Sequence, residues 1–297
     1  MLTRRHAWLP VLVLGVVLFL VDERTMVDTN NPNLVPSVIL LGSAAVPSAF
    51  LAYVYGRRLP FRLPGGLVAI AGLLGGVIGT VVAGTLEFET IQRDGGLPLL
   101  GIGVIEEGSK LLVPLALAYL FPFRRMADGL LVGVACGAGF AALETMGYAF
   151  VELAKTRGDV TDTADLLLQR GLLSPAGHMA WTGLTAAALF AAVGASWRAR
   201  QAWRFLAAFG VAVVLHACWD GAGSLRAYEV LAVLGLGMLA LTARAAAREP
   251  GASDPAPRPP SETPPSETPP RGRPRADQFR ADRAGAGLSG AGGPGAG

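Results

Sequence analysis

GIGVIEEGSKLL, residues Gly101–Leu112, sets two adjacent carboxylates and a lysine inside an apolar run that opens near Pro98 and closes near Phe121. In water such a run would be a buried core helix. Glu106, Glu107 and Lys110 make it something else, because ionisable residues in a membrane span are expensive and mark a working site. The surrounding chain supports the membrane reading. Of its 297 residues 52% are apolar and only 16% are charged, a balance ordinary for a multi-spanning membrane protein. The net charge of +3 does not signal nucleic acid, since the arginines cluster between apolar segments and form no single basic face. Cys136 and Cys218 both lie in apolar segments and read as buried packing residues, with no CxxC spacing for metal or redox chemistry.

Working outward, eight spans are expected: 7–22, 34–55, 65–86, 98–121, 128–151, 176–196, 204–221 and 228–244. Each is close to the length that a hydrocarbon core of about 30 Å needs at a 1.5 Å rise per residue. The first run, AWLPVLVLGVVLFLV, is followed by DERTMVD with no small-residue cleavage signal, so it reads as a retained helix. The connections test the count. Arg4 and Arg5, then Arg57, Arg58 and Arg62, then Arg124 and Arg125, then Arg198, Arg200 and Arg204, then Arg244 and Arg248 fall on every second connection. The alternate connections (DERTMVD, LEFETIQRDG, the mixed 152–170 loop and DGAGSLRAYE) hold as many acidic residues as basic ones, or more. Alternating arginine excess predicts an all-α, polytopic bundle of about eight helices in the cell membrane, with both termini cytoplasmic. In the fifth span Gly129, Gly133 and Gly137 repeat every four residues, a spacing that lets helix backbones approach closely.

The composition changes after Arg248. Residues 249–297 carry the tandem SETPPSETPP, an Arg/Asp segment and a Gly/Ala end, with too few aromatic and β-branched residues to form a core. The expected organisation is a transmembrane domain over 1–248 and a disordered cytoplasmic tail over 249–297.

The polar residues inside the spans share one depth. In the expected topology Glu106 lies about 12 Å from the outer end of the fourth span and Glu144 about 10 Å below the outer end of the fifth. His178 is about one turn into the sixth, and His216 about 7 Å down the seventh with Asp220 at its mouth. Helices running in alternating directions thus bring their ionisable groups to the extracytoplasmic leaflet. His216 and Asp220 are i,i+4 and face one cavity; Glu106 and Lys110 have the same spacing, in the order that favours an ion pair. Lys110 is expected to neutralise one glutamate and leave the other free. Carboxylates with two histidines in a partly buried cavity fit a zinc hydrolase, in which Zn2+ takes imidazole and carboxylate ligands and acidifies water while a further carboxylate acts as base.

EEGSK at Glu106–Lys110, FAALE at Phe140–Glu144, HMAWT from His178 and HACWD at His216–Asp220 resemble, in order and each in its own span, the motifs of PrsW-type intramembrane proteases. More distantly they are similar to CAAX-prenyl-protease-like membrane enzymes, which often carry histidine at the place of Glu144. The resemblance covers about Pro98 to Gly221. It implies a membrane protease acting on membrane-associated protein substrates, similar to enzymes that cut anti-sigma factors near the outer side of a bacterial membrane. It also implies catalytic roles for Glu106, Glu107, Glu144, His178, His216 and Asp220. His178 and His216 are expected to hold a divalent metal, zinc first, with Glu144, Glu106 or Glu107. Glu107 is the expected general base and Glu106 the next candidate. Glu144 is expected to be a metal ligand or water orienter, and Asp220 to fix His216 or shape the mouth. An ion- or proton-coupled transporter and an inactive membrane scaffold are the alternatives; internal repeats with interrupted helices would favour the first, a missing motif residue the second.

Overall fold

The structure, a computed structural model, describes residues 4–249. Ten α-helices run through them: α1 (Trp8–Thr29), α2 (Val35–Tyr55), α3 (Gly65–Asp94), α4 (Leu99–Lys110), α5 (Leu112–Leu120), α6 (Met126–Lys155), α7 (Val160–Leu173), α8 (His178–Gly194), α9 (Ala199–Asp220) and α10 (Leu225–Ala247). The architecture is all-α. Seven segments, with α7 and α8 taken as one run, are long and apolar enough to cross a bilayer, so the chain is a multi-pass membrane protein. The expected disordered tail, beyond Glu249, lies outside the described residues.

Seven of the eight expected spans fall on one helix each. The fourth is broken. Residues 98–121 form α4, of 12 residues, and α5, of nine, meeting at Leu111. Pro114 supplies the cause: it has no N–H to return to the Lys110 carbonyl four residues back, and its ring crowds that carbonyl. The Leu111 N–H turns to Gly108 O instead (3.1 Å), a tighter turn at the break. Lys110 is thereby the last residue of α4.

The 152–170 connection, expected to be a loop, contains most of α7. Asp159 starts this helix, its carboxylate accepting from the N–H groups of Thr161 (2.8 Å) and Asp162 (3.4 Å). At 14 residues α7 spans about 21 Å, too short to cross alone. It packs against α2 and α6 and turns through Ser174–Gly177 into α8.

α6 is the axis of the bundle. Every residue from Gly129 to Ala138 is buried, as a helix apolar all round must be. The glycine repeat read from the sequence faces α8. A Cβ at Gly137 would stand 2.8 Å from the Met179 Cα, so only glycine lets the first turn of α8, with His178, lie this close. On the opposite side a Cβ at Gly76 of α3 would meet the Gly139 carbonyl carbon at 2.6 Å. Peripheral α1 and α10 expose Val13, Leu14, Val233 and Leu241, the surface a bilayer covers. Cys136 is buried and donates to Ala71 O (3.3 Å), whereas Cys218, expected to be buried, is exposed; both are free thiols. Cys218 sits one residue before Trp219 on the face of α9 that turns outward from His216.

Candidate active site

Four helices meet around one cluster. α4 contributes Glu106, Glu107 and Lys110 in its last turns, α6 contributes Glu144, α8 begins at His178, and α9 ends with His216 and Asp220. All the residues expected at the site are within one connected network. Glu107, Lys110 and His216 are each only 1% exposed, so their charges must be met inside the protein.

Lys110 is the hub. Its Nζ lies 3.0 Å from Glu106 Oε2, 2.8 Å from Glu107 Oε1 and 2.9 Å from His178 Nδ1. The expectation that it would pair with one glutamate and spare the other is corrected: at the end of α4, spacings of three and four residues put both carboxylates within its reach. Its ammonium also sits 4.1 Å over the Phe140 ring, which accounts for an aromatic residue at the head of the FAALE motif. An ammonium only donates, so Nδ1 of His178 accepts, and its Nε2, which then carries the ring hydrogen, stands 2.8 Å from Glu144 Oε2. Glu144 Oε2 is in turn held by Arg170 of α7 at 2.9 Å.

His216 sits among carboxylates. Its Nδ1 is 2.8 Å from Glu107 Oε1, and its Nε2 is 3.3 Å from Asp220 Oδ2 and 3.5 Å from Glu106 Oε2. The two imidazole rings stand 5.5 Å apart, with Trp181 against both. Glu107 Oε1 is shared between Lys110 and His216, while its Oε2 is buried with no hydrogen-bond partner.

The cluster fits a divalent metal on two counts. One ligand atom each from Glu106, His178 and His216 lies within 4.8 Å of the others, and two imidazoles with a carboxylate suit a borderline cation. Four carboxylates (Glu106, Glu107, Glu144, Asp220) face two permanent cations, Lys110 and Arg170, so with all four ionised and the imidazoles neutral two negative charges remain uncompensated. Glu144 touches His178 from the side opposite Lys110.

A polar-walled cavity of about 400 Å³ adjoins the cluster, lined by Glu106, Glu144, Asp220, Arg170, Tyr148 and Glu87 among others. Three of these escaped the sequence reading. Glu87 falls one residue past the expected end of the third span, yet α3 runs on to Asp94 because no proline or glycine stops it before Gly95. Arg170 lies on α7, in the stretch expected to be a loop, and Asp159 is the helix-starting residue that signals α7. Tyr148, under the Arg170 guanidinium at 4.0 Å, follows Glu144 by one turn of the same helix.

No curated protein and no solved structure matches the chain. A family match does exist, and it spans both the helices that carry the cluster and those that support it. Over residues 62–245, well over half its length, the chain matches the PrsW family of intramembrane metalloproteases, and it belongs to that family.

Proposed function

We propose that the chain is a metal-dependent intramembrane protease that hydrolyses peptide bonds of membrane-associated protein substrates near the extracytoplasmic leaflet, anti-sigma-factor-like regulators among them. The observation that carries this reading is the meeting of Glu106, His178 and His216, from three helices, beside a buried carboxylate with one unpartnered oxygen.

In this reading Glu106, His178 and His216 hold the metal, with Glu144 as ligand or orienter. Zinc is the proposed ion. When bound it supplies Lewis acidity, polarising a peptide carbonyl and making water more acidic. Glu107 acts as general base: its Oε1 is held by Lys110 and His216, so its Oε2 has a free lone pair in a fixed position to take a proton from water. His216, with Nδ1 on Glu107, would offer Nε2 to the metal beside Asp220, and His178, with Nε2 toward Glu144 and Arg170, would offer Nδ1 in place of its Lys110 contact. Lys110 keeps Glu106 and Glu107 side by side against their mutual repulsion.

The packing below the cluster supports hydrolysis over transport. Leu130, Leu131, Val132, Val134, Ala135 and Cys136 are fully buried on α6, a close-packed apolar stretch. The test is reconstitution of the purified chain with candidate single-span substrates, scoring cleavage against metal content. Zinc-loaded protein should cut, and chelation followed by zinc return should abolish and then restore cutting. Undiminished cleavage by metal-free protein would defeat the metal assignment.

A further inference from the structure

α3 and α6 touch and then part. Their first halves are pressed together where Gly72, Gly75 and Gly76 meet Ala135, Cys136 and Gly139, a contact that leaves no room for a side chain at Gly75 or Gly76. Past Gly79, which receives the Phe140 ring, the two helices separate. The gap is a cleft of about 620 Å³, walled by Ala83, Gly84 and Glu87 on α3 and by Leu143, Glu144 and Gly147 on α6. Glu106 also lines it, so the cleft leads to the metal-ligand cluster.

The walls differ from the contact below them. A Cβ at Gly84 or Gly147 would find no atom within 4 Å, so these glycines are not required by helix packing; they leave the cleft open. Exposed Val81 and Phe88 on α3 and Phe150 and Val151 on α6 surround this part of the pair, an apolar surface suited to lipid. The interior is mixed: Ala83, Leu143 and Val151 share it with the carboxylates of Glu87, Glu106 and Glu144. Glu87 Oε1 is buried and has no hydrogen-bond partner, so it calls for a donor from whatever occupies the cleft. A lipid acyl chain has no donor. A helical segment, past its first turn, has spent its backbone N–H groups on its own carbonyls and has only side chains left to donate. An unwound stretch of polypeptide has both free N–H groups and a peptide bond exposed for attack.

We propose that the α3–α6 cleft admits an unwound stretch of a membrane-embedded polypeptide sideways from the bilayer, with Glu87 accepting one of its backbone N–H groups. This rests on the proteolytic reading for its purpose, but its test does not depend on turnover.

The full chain is placed in lipid vesicles with a photoreactive benzophenone side chain at position 84 or 147, or at Leu73 on the exposed face of α3 as control. Two single-span probe peptides are offered, identical except that the outer half of one is rich in Gly, Ser and Pro and that of the other in Leu and Ala. Adducts from 84 and 147 should form with the helix-breaking probe at least tenfold more than with the Leu/Ala probe, and position 73 should not discriminate. Glu87→Leu should lower the preferred adducts several-fold. Equal yields with both probes, adducts with lipid alone, or no adducts would overturn the proposal. In a second arm Gly84→Trp fills the cleft, with zinc stoichiometry confirming an intact cluster. Cleavage of the helix-breaking probe should fall at least tenfold; unchanged cleavage would overturn the access route and leave hydrolysis standing. Adducts without any cleavage by the parent chain would leave the route standing and remove the proteolytic reading.

Discussion

At the scale of single residues, Lys110 and Glu107 divide charge control from chemistry. Glu107→Gln keeps the size and the Oε1 contacts but removes the proton acceptor. Turnover should fall by about 10²-fold or more while zinc content stays at the parent level; near-parental cleavage would transfer the base to Glu106 or Glu144. Lys110→Met has a different signature. Removing one partner from a buried ion pair typically costs about 3–5 kcal/mol, and here two carboxylates lose their cation at once. Thermal unfolding in detergent should show the loss, and added zinc should raise the melting temperature of the variant more than that of the parent, because it restores positive charge beside the same carboxylates. Equal zinc stabilisation in both would mean that Lys110 and metal do not share this charge balance. The sequence made the identities of this cluster legible through depth and spacing. It hid the contacts of Lys110, which depend on where α4 stops, and it hid Glu87, which became visible only with the full length of α3.

At the scale of elements, glycine spacing was readable and helix breaks were not. The four-residue repeat in α6 pointed to a close helix contact, and α8 is the helix it receives. Gly137→Leu would drive a side chain into the backbone at His178 and Met179. Overpacking of this kind costs about 1–3 kcal/mol or more, and because the clash falls on the first turn of α8 it should also lower zinc affinity. Chelator competition on purified protein checks this; unchanged affinity with reduced stability would separate packing from site assembly. The broken span 98–121 looked continuous because hydropathy does not register Pro114. Its position four residues after Lys110 was the available signal. α7 was missed for the converse reason: its mixed polar residues resemble a loop, and its hydrophobic residues contact the bundle only through tertiary packing on α2 and α6. Residue count and charge alone cannot separate such a helix from a long connection.

For the whole molecule, the number of crossings decides on which side the cluster opens. α4 and α5 with Leu111 make 22 residues, 12 plus one plus nine, about 33 Å if nearly straight and enough to traverse a hydrocarbon core. With that crossing the total is eight, and the arginine-rich connections all fall on one side, the side that the positive-inside rule expects to be cytoplasmic. Without it every loop after α5 changes side, and Arg124 and Arg125 would face outward while Arg57 and Arg58 face inward. Single cysteines at Asn31, Arg58, Asp159 and Arg198, in a Cys218→Ala background because that thiol is exposed, separate the two cases. A membrane-impermeant maleimide on intact cells should label positions 31 and 159, and should reach 58 and 198 only after permeabilisation. Position 159 is decisive, since it precedes α7 and the two counts put it on opposite sides. Labelling there only after permeabilisation would be incompatible with the parallel α3–α6 contact that brings Glu87 beside Glu144, and would overturn the α4–α5 crossing together with this packing.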